Sequence, residues 1–259
     1  MTKLTGVTMI RNGVMFDYCY HATIQCLLDL CDEVIIVLPE GYDGTDIDIQ
    51  MSYWPKEKVK IITPETEWDS IEGKYKLSYF SNIGLAEVQE GWVIYLQSDE
   101  VIHERSFPWI RQAINEGGNG YMVARHNLWA TPDHILDVPY DRMPCSPYVM
   151  RLGRAGAMTY DDAESLGIDN VDTRYMDNIE IFHYGFIRDW RVMKSKVINM
   201  QVGVFGMAEY DKRLDTSEVF NPLAFFEPKD LKKHGMTHPK YINEWLEKHK
   251  EQYELYNNI

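Results

Sequence analysis

The chain has 259 residues, 45% of them hydrophobic, enough to bury a sizeable core in one large domain or in a domain with an appendage. Its 40 acidic residues outnumber 26 basic ones, and the resulting formal charge of −14 repels nucleic acid and anionic membrane, disfavouring sequence-blind DNA binding. No apolar run approaches bilayer length and the polar start MTKLTGVTMIRNG is not a signal peptide, so no membrane span and a cytoplasmic location are expected.

Residues 4–10 (LTGVTMI) read as a first strand, closed by RNG at 11–13. Over 17–32, Tyr20, Ile24, Leu27, Leu28 and Cys31 recur at helical spacing. EVIIVLP (33–39) is a second buried strand, and EGYDGT after it is loop chemistry. VKIIT (59–63) is a third strand, and 74–91 is a helix that Gly91 closes. WVIYL (92–96) is apolar without alternation, as a strand covered on both faces is. A helix follows over 106–118, with Pro108 near its first turn and glycines past its end. Repeated strand–helix alternation predicts an α/β fold, a mostly parallel central sheet flanked by helices.

The second half changes character. Longer strands are expected over 120–130 and 146–160, with the Pro- and Asp-rich stretch between them forming a loop over the site. NIEIFHYGF (178–186) is a strand, and helices are expected over 189–206 and 238–255. Neither a repeat nor a clear linker is visible. Cys19, Cys26, Cys31 and Cys145 show no CxxC spacing, which predicts reduced, small apolar thiols in an intracellular protein and argues against zinc.

The stretch WVIYLQSDEVIHE (92–104) carries the chemistry. Its apolar strand ends in Gln97, Ser98, Asp99 and Glu100, then His103 and Glu104. Ligands bind at the carboxyl ends of strands in open α/β sheets, and a carboxylate there suits a metal or a substrate. The competing reading makes Asp99 a helix cap and Glu100 a solvated side chain. For His103 and Glu104 the preferred reading is capping of the helix at 106.

In order along the chain, RNG, LCDEVIIV, DGT, SNIGL, W-x-x-Y-L-Q-S-D-E and HYG resemble the inverting family-two glycosyltransferases of the GT-A fold. A bacterial and viral subgroup is similar in its Q-x-D-E-V-x-H-E (97–104), D-A (162–163), HYG (183–185) and T-H-P (237–239) motifs. The resemblance runs from about residue 4 to about residue 250. It implies a GT-A-like nucleotide-diphospho-sugar transferase fold over 1–188, with 189–259 as a C-terminal helical extension packed on the same domain.

The activity implied is metal-dependent, inverting transfer of a sugar from a nucleoside-diphosphate sugar to the hydroxyl of a glycan or other acceptor. Mn2+ or Mg2+ would neutralise the leaving diphosphate. Asp99 is then the main metal ligand, His183 the second, and Glu100 stands beside or behind them. For His183 the alternative is a core histidine satisfied by a backbone carbonyl. Gln97 replaces the family's first acid and faces the donor ribose.

The general base falls in TYDDAESLG, where Asp162 leads and Glu164 and Asp161 follow; a solvated acidic loop is the alternative. At the nucleotide end stand Arg11 and Asn12, then Glu40, because Leu38 occupies the place of the usual base-reading Asp. Lys74, Lys76 and Asn82 follow, against a solvated helix face, and Arg188, Arg151 or Arg154 would reach phosphate.

Two rivals keep the fold. One is a phage-type enzyme that glycosylates DNA bases, using Lys56, Lys58 and Lys60 or Lys229, Lys232 and Lys233 as a basic patch. The other is a non-catalytic nucleotide-sugar-binding protein, for which Gln97 and Leu38 speak.

Overall fold

The computed structural model describes residues 2–167 and 173–254. Strand β1 (Leu4–Met9) leads through α1 (Tyr20–Leu30) to β2 (Glu33–Val37), then through α2 (Thr45–Met51) to β3 (Val59–Ile62). Helix α3 (Tyr75–Ala86) returns the chain to β4 (Trp92–Gln97). β1 pairs in parallel with β2 and with β4, and β2 pairs in parallel with β3. The strand order β3-β2-β1-β4 means that the chain winds outward from β1 and then crosses back to its other flank. The crevice above the carboxyl ends of β1 and β4 is therefore the topological switch point, where open α/β sheets bind ligands.

Central position explains the composition of these strands. Leu4, Val7 and every residue from Trp92 to Leu96 are at most 1% exposed. α1 lays Ile24, Leu27 and Leu28 into this core, each worth about 1.5–3 kcal/mol of burial. Gly6 lets α1 approach β1: a Cβ there would lie 3.1 Å from Cys31 Sγ and from Leu27 Cδ2. Cys19, Cys26 and Cys31 are buried free thiols in the same layer.

The chain then forms β5 (Glu100–Ile102), α4 (Phe107–Glu116), β6 (Gly120–Trp129), β7 (Thr131–Leu136) and β8 (Tyr148–Arg154). Short β9 (Met158–Thr159) and β10 (Leu166–Gly167) precede the long β11 (Thr173–Phe186) and α5 (Trp190–Ile198). β12 (Leu231–Lys233), α6 (Asn243–Lys248) and α7 (Lys250–Glu254) follow. β8 runs antiparallel to both β4 and β6, while β11 runs parallel to β6 and antiparallel to β5.

Several segments differ from the sequence expectation, among them 146–160, which breaks after Arg154 into β8 and a short β9 that pairs with β10 in a separate sheet. The stretch 131–147 is not all loop, since Thr131–Leu136 is strand β7, which pairs antiparallel with the preceding β6 and, on its other edge, with the distant β12. Thr45–Met51 is helical, with Asp46 and Asp48 in its first turn favouring its positive end. The helix expected over 189–206 is α-helical only to Ile198 and π-helical over Asn199–Val204. The terminal helix divides into α6 and α7, and residue 255 lies outside the described residues. Among the described residues no helix is long and apolar enough to cross a membrane.

Candidate active site

The turn Ser98-Asp99 joins β4 to β5 at the switch point. Tyr184 N–H donates to the Asp99 carbonyl at 2.8 Å, and Thr23 Oγ1 donates to the Glu100 carbonyl at 2.9 Å, so β11 and α1 hold the turn. The two carboxylate oxygens of Asp99 then face different partners. Oδ2 accepts from Arg188 Nη2 at 2.7 Å and has Lys196 Nζ at 4.0 Å. Oδ1 faces His183 Nε2 at 3.7 Å. Burial pushes the carboxyl up, but His183, Lys196 and Arg188 outweigh it and hold Asp99 well below the usual carboxylate range.

The protons on His183 follow from its neighbour. Asn127 Nδ2 donates to the carbonyls of Cys145 at 3.0 Å and Ser146 at 3.4 Å. Carbonyls only accept, so Asn127 Oδ1 must be the atom facing His183 Nδ1 at 3.0 Å, and Nδ1 carries the proton. Burial brings His183 down to about 4, which leaves a neutral ring at neutral pH. Its Nε2 is then a bare lone pair aimed at a carboxylate oxygen. Gly185 explains the HYG motif, because a Cβ there would overlap His183 Nε2 and stand 2.7 Å from Cε1.

Asp99 and His183 line a cavity of about 320 Å³ together with Arg11, Gln97, Asp162 and Glu164. The Arg11 guanidinium lies 4.3 Å over the Trp68 ring, which stacks on Phe80, and donates from Nε to the Glu40 carbonyl at 2.7 Å. That pair makes a flat cationic wall at the end of β1, suited to an aromatic base. The roof comes from α5 and the π-helical turn after it, through Lys196, Asn199 and Val204. π-Helical turns concentrate at functional sites.

The two cavity carboxylates have different environments. Glu164 Oε1 accepts from Arg125 Nη2 and from Ser146 N–H, and although burial pushes it up, Arg125 leads the interactions that bring it below its ordinary range. Asp162 accepts only weakly from Glu164 N–H, at 3.3 Å among the described residues, and burial followed by the Glu164 charge pushes it up. Both flanking residues, Asp161 and Ala163, adopt left-handed φ values of 50° and 58°. Non-glycine residues rarely hold this conformation, and such strain clusters at functional sites.

Several expected site residues stand elsewhere. Glu100 does not face the cavity: it is the first residue of β5, just past the turn, and its side chain lies in the core. It is fully buried, with Oε1 accepting from Arg151 Nη2 at 2.7 Å and Arg125 Nη1 at 3.3 Å, and Oε2 from Gln97 N–H at 2.9 Å. Asp161 is exposed and paired with Lys74 at 2.8 Å, which places both outside the cavity. Asn12 is a loop organiser whose Oδ1 accepts from Tyr42 N–H at 3.0 Å, and the Glu40 side chain is exposed.

Asn82 clamps β9 to α3, donating to the Thr159 carbonyl at 2.9 Å and accepting from Thr159 N–H at 2.7 Å. Arg188 is fully buried behind Asp99, with Nη1 donating to the Phe16 carbonyl at 2.6 Å. Lys76 pairs with Asp69, Arg154 lies over Trp92, and His103 caps the turn that precedes α4. Lys196, Arg125, Trp68 and Asn127 were not singled out by the sequence; they reach the site through long-range packing and carry no local motif.

The residues present fit a divalent cation held by few protein ligands. Asp99 Oδ1 offers a hard oxygen and His183 Nε2 a neutral imidazole nitrogen whose other nitrogen is anchored by Asn127, the usual arrangement behind a metal-binding histidine. Among the described residues no three His, Cys, Asp or Glu side chains form a complete metal cluster. Ions that serve phosphate chemistry typically take one or two protein carboxylates and fill the remaining positions with water and substrate oxygens.

No protein-family model matches the sequence, and comparison with curated proteins finds no match. Among solved structures, the chain is similar to Staphylococcus aureus TarS at 13% identity and a TM-score of 0.46, covering 82% of this chain and 41% of that one. The chain thus spans less than half the length of that structure. Residues 1–349 of TarS in complex with UDP match at 12% identity and 0.46, covering 82% and 68%. Glucosyl-3-phosphoglycerate synthase from Mycobacterium tuberculosis, in complex with Mn2+, UDP and phosphoglyceric acid, matches at 13% and 0.46, covering 80% of each chain. At these scores the chemistry is left to the residues themselves.

Proposed function

We propose that this chain is a metal-dependent, inverting glycosyltransferase of the GT-A type, moving a sugar from a nucleoside-diphosphate sugar to an acceptor hydroxyl. The observation that carries the reading is the pair Asp99 Oδ1 and His183 Nε2. Two acceptors face each other at 3.7 Å in a cavity at the switch point, and Gly185 keeps that space clear. Such a juxtaposition is repulsive unless a cation or a proton sits against it.

Asp99 and His183 would hold Mn2+ or Mg2+, which supplies Lewis-acid neutralisation of the leaving diphosphate. Arg188 fixes the Asp99 carboxylate, and Asn127 fixes the His183 ring. Arg11 over Trp68 takes the base, in place of the acid that Leu38 replaces. Asp162 is the base. Among the described residues its carboxylate has no cationic hydrogen-bond partner, which suits it to accept the proton of the acceptor hydroxyl. Glu164 is already bound to Arg125 and serves instead to place that arginine.

Net charge and local pairing disfavour a DNA acceptor. Lys60 is paired with Glu87 at 2.7 Å, Lys229 with Glu227 at 2.8 Å, and Lys58 Nζ donates to the Leu28 carbonyl. A thermal-shift screen of nucleotide sugars with and without MnCl2 tests the proposal. One donor should raise the melting temperature in a manganese-dependent way, since a ligand that binds only the folded state stabilises it by mass action. Release of the matching nucleoside diphosphate separates a transferase from a non-catalytic binding protein. A protein that responds to no nucleotide sugar with either metal would refute the reading.

A further inference from the structure

Lys196 projects from α5 into the cavity and is 8% exposed. Its ammonium has three N–H donors. Among the described residues, one long hydrogen bond, 3.4 Å to the Gly185 carbonyl, and the Phe186 ring at 5.2 Å are its near contacts apart from Asp99. Asp99 Oδ2 is 4.0 Å away and already accepts from Arg188 at 2.7 Å. The other buried cations at the site have closer partners: Arg125 pairs with Glu164 and Glu100, and Arg151 with Glu100 at 2.7 Å. A buried ammonium is costly without a partner of opposite charge. Lys196 is therefore a positive group held in reserve beside the Asp99–His183 pair.

We propose that Lys196 is a phosphate-binding residue, whose ammonium holds the donor diphosphate and receives the charge that develops on it. This rests on the glycosyltransferase reading and names a residue that the sequence motifs do not. As the acceptor oxygen bonds to the anomeric carbon, the bond from that carbon to the phosphate oxygen breaks and its electron pair stays on the phosphate. The hydroxyl proton passes to Asp162. Lys196 keeps its protons and exchanges its long bond to the Gly185 carbonyl for a charge-assisted one to phosphate.

Titration calorimetry with UDP, GDP, ADP, CDP, dTDP and pyrophosphate, each with MnCl2, tests this on wild type, Lys196→Met, Lys196→Gln and Lys196→Arg. The neutral variants should bind the preferred diphosphate about 10–100-fold more weakly, the worth of a hydrogen bond to a charged group. Lys196→Arg should retain most of the affinity. Mn2+ binding without nucleotide should hold or tighten in the neutral variants, because a cation next to Asp99 has gone; a merely structural lysine would not separate the two ligands in this way. Unchanged diphosphate affinity in a folded neutral variant, or an Lys196→Arg variant as weak as Lys196→Met, overturns the assignment while leaving the function standing. If wild type binds none of these diphosphates, the function itself falls, and the assignment with it.

Discussion

Asp99 Oδ1 and His183 Nε2 face each other at 3.7 Å, and with Nδ1 donating to Asn127 and burial favouring the neutral ring both are acceptors. The first is a carboxylate whose other oxygen is taken by Arg188. The second is a neutral imidazole whose only proton is spent on Asn127. Two lone pairs so placed call for a cation or a proton, and the predictions below follow from a cation between them.

Gly185→Ala should damage the site without touching a ligand. The added methyl would overlap the imidazole, so the ring must leave its position or β11 must shift. Overpacking of this kind costs about 1–3 kcal/mol. Calorimetry should show a lower melting temperature, and manganese titration should show lost affinity. Manganese affinity equal to wild type would show that Nε2 is not a ligand.

Asn127→Ala should weaken manganese by about 10–100-fold, the usual effect of removing the group that orients a metal-bound histidine. The substitution also frees the carbonyls of Cys145 and Ser146, so stability should be measured beside affinity. A change in melting temperature with unaltered metal affinity would make Asn127 a loop anchor only.

Asp162→Asn should lower transfer by about 10²–10⁴-fold, the range for a positioned general base, and leave donor and metal affinities unchanged. Because burial raises the Asp162 carboxyl, the acid limb of the wild-type rate profile should lie above the ordinary carboxylate range. The sign for stability is opposite to the usual acid: a raised folded pKa favours the protonated form and opposes folding once the group ionises. Asp162→Asn should therefore be at least as stable as wild type near neutral pH. Substantial residual transfer, or a clear loss of melting temperature, would make Asp162 structural.

Much of the architecture was readable because it is local. Strand–helix alternation from β1 to β4 and the helical spacing of α1 are patterns within a few residues, and the parallel half of the sheet follows from them. The partnership of Asp99 with His183 is not local, and it was approached only through resemblance to a family's motifs. Glu100 shows the limit of such carry-over. It adjoins Asp99 in one motif, yet Asp99 stands in the turn while Glu100 opens β5, and Glu100 lies among Arg151 and Arg125. Lys196, Trp68 and Asn127 had no motif at all, since helix α5, the loop before α3 and the register of β6 against β11 decide where they point. β7 was hidden although it pairs with the adjacent β6, because its Pro and Asp residues read as loop.

Glu100→Ala should unfold rather than poison the protein. It leaves two buried arginines without their shared carboxylate, and breaking one side of a buried pair costs about 3–5 kcal/mol. Burial pushes Glu100 up, but Arg151 and then Arg125 bring it below its ordinary range. Its contribution is therefore full above the pKa of an unfolded glutamate and is lost as pH falls through the lower folded value. Denaturant unfolding at pH 7 and in acid checks both statements, and a loss under 1 kcal/mol would contradict them.

The most direct test is an electron paramagnetic resonance titration of Mn2+ into wild type, Asp99→Asn and His183→Ala, each with the diphosphate that wild type prefers and with melting temperatures taken alongside. Wild type should bind one ion per chain. Asp99→Asn should lose that ion, and His183→Ala should bind it at least about tenfold more weakly while staying folded. A wild type that takes up no manganese, or a His183→Ala variant with full affinity and a lowered melting temperature, would contradict the account and return His183 to the core.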